Sequence, residues 1–276
     1  MNSDALVKKI EAQLTYSTNN EGVALSDDEC RRLNLCPSWL ENNELSKAAF
    51  YQLTATGHKH QPSDRFPLIL EQRDPRKGYN PLRPAKPTGE VYSRFDVTLD
   101  KVISFRTFDP NRDMDRFEKW MNDTRVAEFW EQAWTKDKLE AFILERLSDS
   151  FTLPLIGEFN GQPFGYFEVY WVQEDRLAPY YDCQTFDRGI HLLVGENSFR
   201  GKAHFDSWLW ALCHYIFLDD VRTTQIVMEP RVDNAKLFHR LTNTCFEKRF
   251  EFNFPHKRSA LMMMRRDRFF TEARNG

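Results

Sequence analysis

One stretch limits the possible folds more than any other. An apolar run, Gly189-Ile190-His191-Leu192-Leu193-Val194-Gly195, enters a basic, glycine-containing turn, Phe199-Arg200-Gly201-Lys202-Ala203-His204-Phe205, and continues as a helix to about Leu218. A short run that is apolar on both faces suits a buried strand. The helix places Phe205, Trp208, Leu212, Tyr215 and Ile216 at the spacing of an ordinary core helix. A buried strand turning straight into a helix aims unpaired backbone N–H groups and the positive helix end at one spot, a seat for an anion such as a pyrophosphate. Gly201 lets a ligand approach the backbone closely, and Arg200 and Lys202 add charge. A solvated loop before a capped helix has the same pattern.

Around this junction the periodicities alternate from Val97 onward. Residues 102–106 are strand-like, while 113–121 and 137–147 are helical, the latter with Leu139, Phe142, Ile143 and Leu147 on one face. Two strands, 151–159 and 163–172, flank Asn160-Gly161, a two-residue hairpin signal. Beyond the junction the pattern predicts a strand over 222–229, a helix over 233–241 and closing strands over 246–252 and 260–265. The order β-α-α-β-β-β-α-β-α-β-β is that of a mixed α/β sheet flanked by helices, not of a doubly wound one.

Upstream, Pro62, Pro67, Pro75, Pro81, Pro84 and Pro87, with Gly57, Gly78 and Gly89, predict a long irregular connector holding one strand at 66–71. Before it, Ala5, Leu6, Ile10 and Leu14 form a helical stripe. Ser26-Asp27-Asp28-Glu29 reads as a capping box opening a second helix towards Leu33, and a third is expected from Pro37 or Ser38 to about Leu53. The chain therefore divides near residue 95 into a helical, proline-rich region (1–94) and a larger domain (95–276). The first region reads either as a lid or partner surface or as a stabilising appendage.

Thirty-eight basic against forty-one acidic residues, with no basic track, argue against a nucleic-acid binder. No stretch is long and apolar enough to span a bilayer and the first residues lack a signal-peptide core, so a cytoplasmic location is expected. Five scattered cysteines without CxxC spacing predict reduced thiols and no structural zinc. His58 and His60 have the spacing of a strand-borne metal pair but no third ligand nearby in sequence, and no metal is expected. With 23 Phe, 9 Tyr and 7 Trp, either a large aromatic core or a ring-lined pocket is implied.

The order of elements, the Arg200-Gly201-Lys202 loop and the turn Glu229-Pro230-Arg231-Val232-Asp233-Asn234 together resemble the Gcn5-related N-acetyltransferase (GNAT) fold over roughly residues 97–268. That fold has a mostly antiparallel mixed sheet. More closely, Gly165-Tyr166-Phe167-Glu168-Val169-Tyr170-Trp171, the 189–195 run and the 229–234 turn are similar to acyltransferases of hydroxamate siderophore assembly, including aerobactin-type N-hydroxylysine acetyltransferases and mycobactin lysine acyltransferases. The loop departs from the family's R/Q-x-x-G-x-G/A, because Ala203 and Phe205 follow Arg200 at the two small positions; a second frame uses Ser198, Gly201 and Ala203.

The resemblance implies an acetyl-coenzyme A-dependent N-acetyltransferase that turns an N-hydroxydiamine or N-hydroxylysine into a siderophore hydroxamate. Contact with other siderophore enzymes is also implied. An amine or aminoglycoside acetyltransferase and a non-catalytic acyl-coenzyme A-binding assembly partner are the alternatives. Coenzyme A would lie along Leu193 and Val194, with its phosphates over Arg200, Gly201, Lys202, Ala203 and His204. Asn234 would either touch it or open the next helix. His191 is a core histidine by spacing alone, and the resemblance makes it a general base or an acceptor-orienting group. Glu229 either assists it or caps a turn. Glu168, with Tyr170, Trp130 and Trp171, would bind the acceptor: the carboxylate holding a distant ammonium, the rings walling its methylenes. The competing readings are a solvent-facing edge-strand carboxylate and rings buried in the core.

Overall fold

A computed structural model describes residues 3–16, 22–40, 42–72 and 79–272. In chain order its elements are α1 (Ser3–Tyr16), β1 (Gly22–Ala24), α2 (Asp27–Arg32), β2 (Glu44–Ser46), α3 (Lys47–Tyr51), β3 (Leu70–Glu71), β4 (Asn80–Pro81), β5 (Glu90–Asp96) and β6 (Lys101–Thr107). There follow α4 (Pro110–Met121), α5 (Thr124–Trp130), α6 (Lys136–Ser148), β7 (Thr152–Phe159), β8 (Gln162–Trp171) and β9 (Arg188–Val194). The chain continues through α7 (Lys202–Asp219), β10 (Gln225–Met228), α8 (Ala235–Leu241), β11 (Glu247–Asn253), β12 (Arg258–Arg265) and α9 (Arg266–Glu272).

Eight strands form one sheet in the order β11-β12-β10-β9-β8-β7-β6-β5. Neighbours are antiparallel except β9 and β10, which are parallel. The β7–β8 hairpin turns at Asn160 and Gly161, both left-handed (φ 48° and 74°), as a two-residue turn matched to strand twist requires. Helix α7 is buried on nearly every side, as its lack of a polar face dictates. The sheet covers one side of it; α1, α3 and α9 help cover the rest, and Leu6, Ile10 and Leu14 share its core cluster with Trp208, Leu212 and Ile216. Arg94 on β5 is buried, ion-paired with Glu11 of α1 and with Asp96, and lies 4.5 Å from the Trp210 ring of α7. A second cluster, with Phe117, Trp120, Leu139 and Ile143, packs α4 and α6 on the other face.

Two local expectations are revised, and two further features stand beside them. The third helix breaks at Asn42 and Asn43, both left-handed (φ 52° and 60°), so Pro37–Trp39 is a 3-10 turn and α3 starts only where the Ser46 side chain caps the Ala49 N–H at 3.1 Å. The strand expected at 66–71 narrows to Leu70–Glu71. Strand β5 crosses the division expected near residue 95 and joins the main sheet. Helix α5, capped by Asp123, was not anticipated between the two predicted helices. Pro75 and Gly78 of the connector lie outside the described residues.

Candidate active site

Strands β9 and β10 pair only at Arg188↔Ile226 and Gly189↔Val227, although β9 runs on to Val194. Beyond Gly189 the two strands part, and a cavity of about 700 Å³ opens between them. Alternation decides which backbone groups face it. The Gly195 N–H donates to Phe164 on the β8 side, whereas the carbonyls of Leu192 and Val194 accept from Trp130 Nε1 (3.2 Å) and Arg125 (3.0 Å) on the cavity side. The peptide groups of Leu192 and Val194 therefore turn to the cleft, and that of Leu193 turns to its partner Tyr166 on β8.

At the point of parting, three ionisable side chains meet. His191 Nδ1 donates to Glu168 Oε2 at 2.7 Å, and Nε2 donates to Glu229 Oε1 at 2.9 Å. Both remaining carboxylate oxygens accept a tyrosine hydroxyl: Tyr166 to Glu168 Oε1 (2.8 Å) and Tyr170 to Glu229 Oε2 (3.0 Å). Glu168 and Glu229 are almost wholly buried, while the His191 side chain keeps 24% of its surface open to the cavity. The sequence arranges this by period: Tyr166, Glu168 and Tyr170 share one face of β8, and register sets Glu168 opposite His191. Gly189 is required here, because a Cβ would come within 2.1 Å of the Tyr170 ring.

Burial alone would drive the proton off His191. The Glu229 charge, the hydrogen bonds to both carboxylates and the Glu168 charge outweigh it and hold the imidazole pKa up at about 10. Burial likewise favours neutral carboxyls, but His191, with Lys257 and Arg176 behind it, keeps Glu229 well below the usual range. His191 and Arg146 keep Glu168 low as well. The set is thus an imidazolium clamped between two carboxylates.

The other expected site residues fall into two groups. Trp130 lines the cavity, its ring 6.3 Å from His191, whereas Tyr170, expected to touch the acceptor, is buried against the imidazole at 4.7 Å with its hydroxyl given to Glu229. Trp171 does not reach the site: one residue further along β8 it faces the opposite side, packed between Arg83 (4.3 Å) and Arg188 (3.9 Å). Glu168 is buried with its oxygens committed to His191 and Tyr166, so the ammonium contact expected of it finds no open carboxylate.

At the far end of the cavity stands the start of α7, where Gly201 is the N-cap and no side chain caps the helix. A Cβ on Gly201 would meet only His204 Nδ1 at 3.8 Å, so packing does not demand glycine; its effect is to leave the helix end bare. Arg200 lines this end with Arg125, Lys236, His239 and Arg240, and burial together with the neighbouring arginine charges lowers its proton affinity. Lys202 pairs with Asp206, and the His204 ring packs on Phe159 and Phe199, so with Ala203 these residues offer the helix end their first-turn amides. Asn234 lines the cavity while its side chain accepts from the Leu237 N–H as the N-cap of α8.

Around the triad, sequence reasoning missed Arg146 and Lys257, which join Arg176 there. Arg146 lies 3.6 Å from Glu168, Arg176 lies 4.0 Å from Glu229, and Lys257 donates to the Glu229 carbonyl at 3.0 Å. They come from α6, the β8–β9 loop and the β11–β12 turn, and no local pattern joins them. His58 and His60, expected to lack a third ligand, in fact meet Asp219 at the end of α7.

Residues 109–254 match the family model described as an acetyltransferase (GNAT) domain. The N(6)-hydroxylysine O-acetyltransferase of Escherichia coli is 41% identical over 233 residues, covering 84% of this chain and 73% of that protein. The hydroxyornithine transacylase of Ajellomyces capsulatus is 37% identical over 195 residues, 69% of this chain and 44% of that protein, so the chain spans less than half of this fungal relative. Among solved structures, an uncharacterized protein from Bacillus halodurans aligns with a TM-score of 0.63 at 28% identity, over 68% of this chain and 98% of that one.

Proposed function

The chain belongs to the GNAT acetyltransferases, and from that premise we propose that it transfers the acetyl group of acetyl-coenzyme A to the nitrogen of an N-hydroxylated amino acid side chain, forming a hydroxamate. The observation that carries the reading is the Glu168–His191–Glu229 set where β9 and β10 part, one cavity away from the bare end of α7. Coenzyme A places its pyrophosphate at that helix end beside Arg200 and Arg240 and runs its pantetheine along the free edge of β9. The Val194 amide then points at the thioester oxygen as it gains charge.

The free hydroxylamine is neutral at cellular pH and attacks without prior deprotonation. As the C–N bond forms, the nitrogen becomes cationic and strongly acidic, so a weak base suffices. Glu229 is buried with both oxygens committed, whereas His191 is open to the cavity, so the imidazolium passes its Nε2 proton to Glu229 and takes up the proton of the nitrogen in its place. Once Glu229 is neutral, the largest influence raising the His191 pKa is gone. The imidazolium then releases its proton to the departing thiolate as the C–S bond breaks, and a proton shift from Glu229 back to His191 resets the pair.

Arg176, with Lys257 behind it, supports an acceptor bearing a carboxylate, such as N6-hydroxylysine, over an N-hydroxydiamine. The test is thiol release from acetyl-coenzyme A with N6-hydroxylysine, N-hydroxycadaverine and lysine, coupled to ferric complex formation, which an N-acyl product gives and an O-acyl product does not. The proposal expects hydroxylysine to be preferred and to yield the ferric hydroxamate. Equal turnover of lysine would instead indicate an ordinary amine acetyltransferase, and no thiol release with any acceptor would indicate a binding protein.

A further inference from the structure

On the side of α7 remote from the cavity, the connector places two imidazoles against one carboxylate. His58 Nδ1 donates to the His60 carbonyl at 2.8 Å, and His60 Nδ1 donates to the Gln61 carbonyl at 2.9 Å. A carbonyl only accepts, so each Nδ1 carries its hydrogen, and in the neutral ring each Nε2 presents a lone pair, the one on His60 having the Tyr215 hydroxyl at 3.4 Å beside it. Both Nε2 atoms face the same oxygen, Asp219 Oδ1, at 3.3 and 3.9 Å. The other oxygen, Oδ2, accepts from Ser63 (2.8 Å) and Arg188 (3.1 Å), which fixes the carboxylate with Oδ1 towards the histidines.

Three acceptors converging in this way suit a cation among them, since the Tyr215 hydroxyl reaches only the His60 nitrogen. Tetrahedral zinc at about 2.0–2.1 Å from nitrogen and oxygen ligands sets its donors about 3.3 Å apart; here the two nitrogen–oxygen distances are 3.3 and 3.9 Å and the three ligand atoms all lie within 4.8 Å of one another, so a small inward shift closes the set on an ion. The Nδ1–H to carbonyl bonds are the outer contacts that orient metal-bound histidines. The His60 side chain is 19% exposed, which gives an ion a way in, and His58 and Asp219 are buried.

We propose that His58, His60 and Asp219 bind one divalent cation of the zinc type, which ties the connector to the end of α7 and, through Arg188, to the base of β9. Three protein ligands leave a fourth position for water. The ion lies outside the acetyl-transfer cavity, and its effect is on the attachment of the N-terminal region.

The whole chain, freed of metal with a chelator, is titrated with Co²⁺ and then Zn²⁺. One Co²⁺ per chain with the visible bands of a tetrahedral site, displaced by Zn²⁺, is expected, along with a higher melting temperature in Zn²⁺. His60→Ala, at the partly exposed ligand, should weaken binding at least tenfold and abolish that rise, while thiol release at saturating substrate stays unchanged. His58→Gln serves as the second variant should the first fail to fold. No Co²⁺ uptake by the native chain, or equal uptake by a folded His60→Ala variant, overturns the site.

Discussion

Glu229→Gln isolates the charge that the proposed mechanism depends on. The carboxamide keeps the shape and still offers an oxygen to His191 Nε2, but it removes the strongest influence raising the imidazole pKa. In the native chain that pKa lies at about 10 against an ordinary 6.5. At 1.36 kcal/mol per unit the shift is worth about 4–5 kcal/mol of folding stability. A folded-state value above the unfolded one stabilises fully below the unfolded pKa, so this contribution is complete below pH 6.5 and is lost as pH rises to about 10. With Glu168 as the remaining counter-charge, the variant's imidazole should titrate about one to two units lower. The variant should therefore be less stable than the native chain by about 1–3 kcal/mol at pH 7, and the part of the difference due to His191 should vanish by about pH 10. Urea denaturation across that range reads the gap, and ring-proton NMR of His191 reads the pKa directly. In the same variant kcat should fall by roughly 10²–10⁴ with KM for acetyl-coenzyme A unchanged, as for loss of a positioned proton acceptor. A native His191 that titrates near 6.5, or a stability gap flat from pH 7 to 10, refutes the clamped imidazolium.

Gly201→Asp should weaken coenzyme A binding by calorimetry at least tenfold in a folded protein, because it sets a like charge at the bare end of α7 without a packing clash. Arg176→Ala should raise KM for N6-hydroxylysine several-fold and leave KM for N-hydroxycadaverine unchanged; equal effects on both would remove the carboxylate contact. Trp171→Phe should leave both substrate KM values alone and lower the melting temperature, since its ring packs between Arg83 and Arg188 away from the cavity.

Where local chemistry decides the outcome, the sequence was readable. The Asn160-Gly161 turn, the Ser26–Glu29 capping box and the core helix α7 each fix their own conformation within a few residues, and each is in place. The failures occurred where two local signals competed. Residues 37–53 carry enough helix formers to suggest one helix, but Asn42 and Asn43 accept a left-handed backbone and the chain turns into the β1–β2 ladder instead. Strand β5 was obscured because it follows directly on the proline-rich connector and gains its pairing from β6.

The site shows a sharper limit of the same kind. Strand alternation on its own predicts that Tyr166, Glu168 and Tyr170 share a face, and register then brings Glu168 to His191. What alternation does not reveal is that the carboxylate is used up there, so a residue expected to bind the acceptor becomes one that holds the imidazole. Trp171 is the complementary case: the aromatic character that suggested a wall of the pocket is real, but odd parity turns it to the other face. The cations beside Glu168 and Glu229 lie on three separate segments whose meeting depends on the whole sheet. Charge that is scattered in the chain and gathered by the fold carries no sequence signature, and the meeting of Arg176 and Lys257 beside Glu229 is legible only in the folded chain.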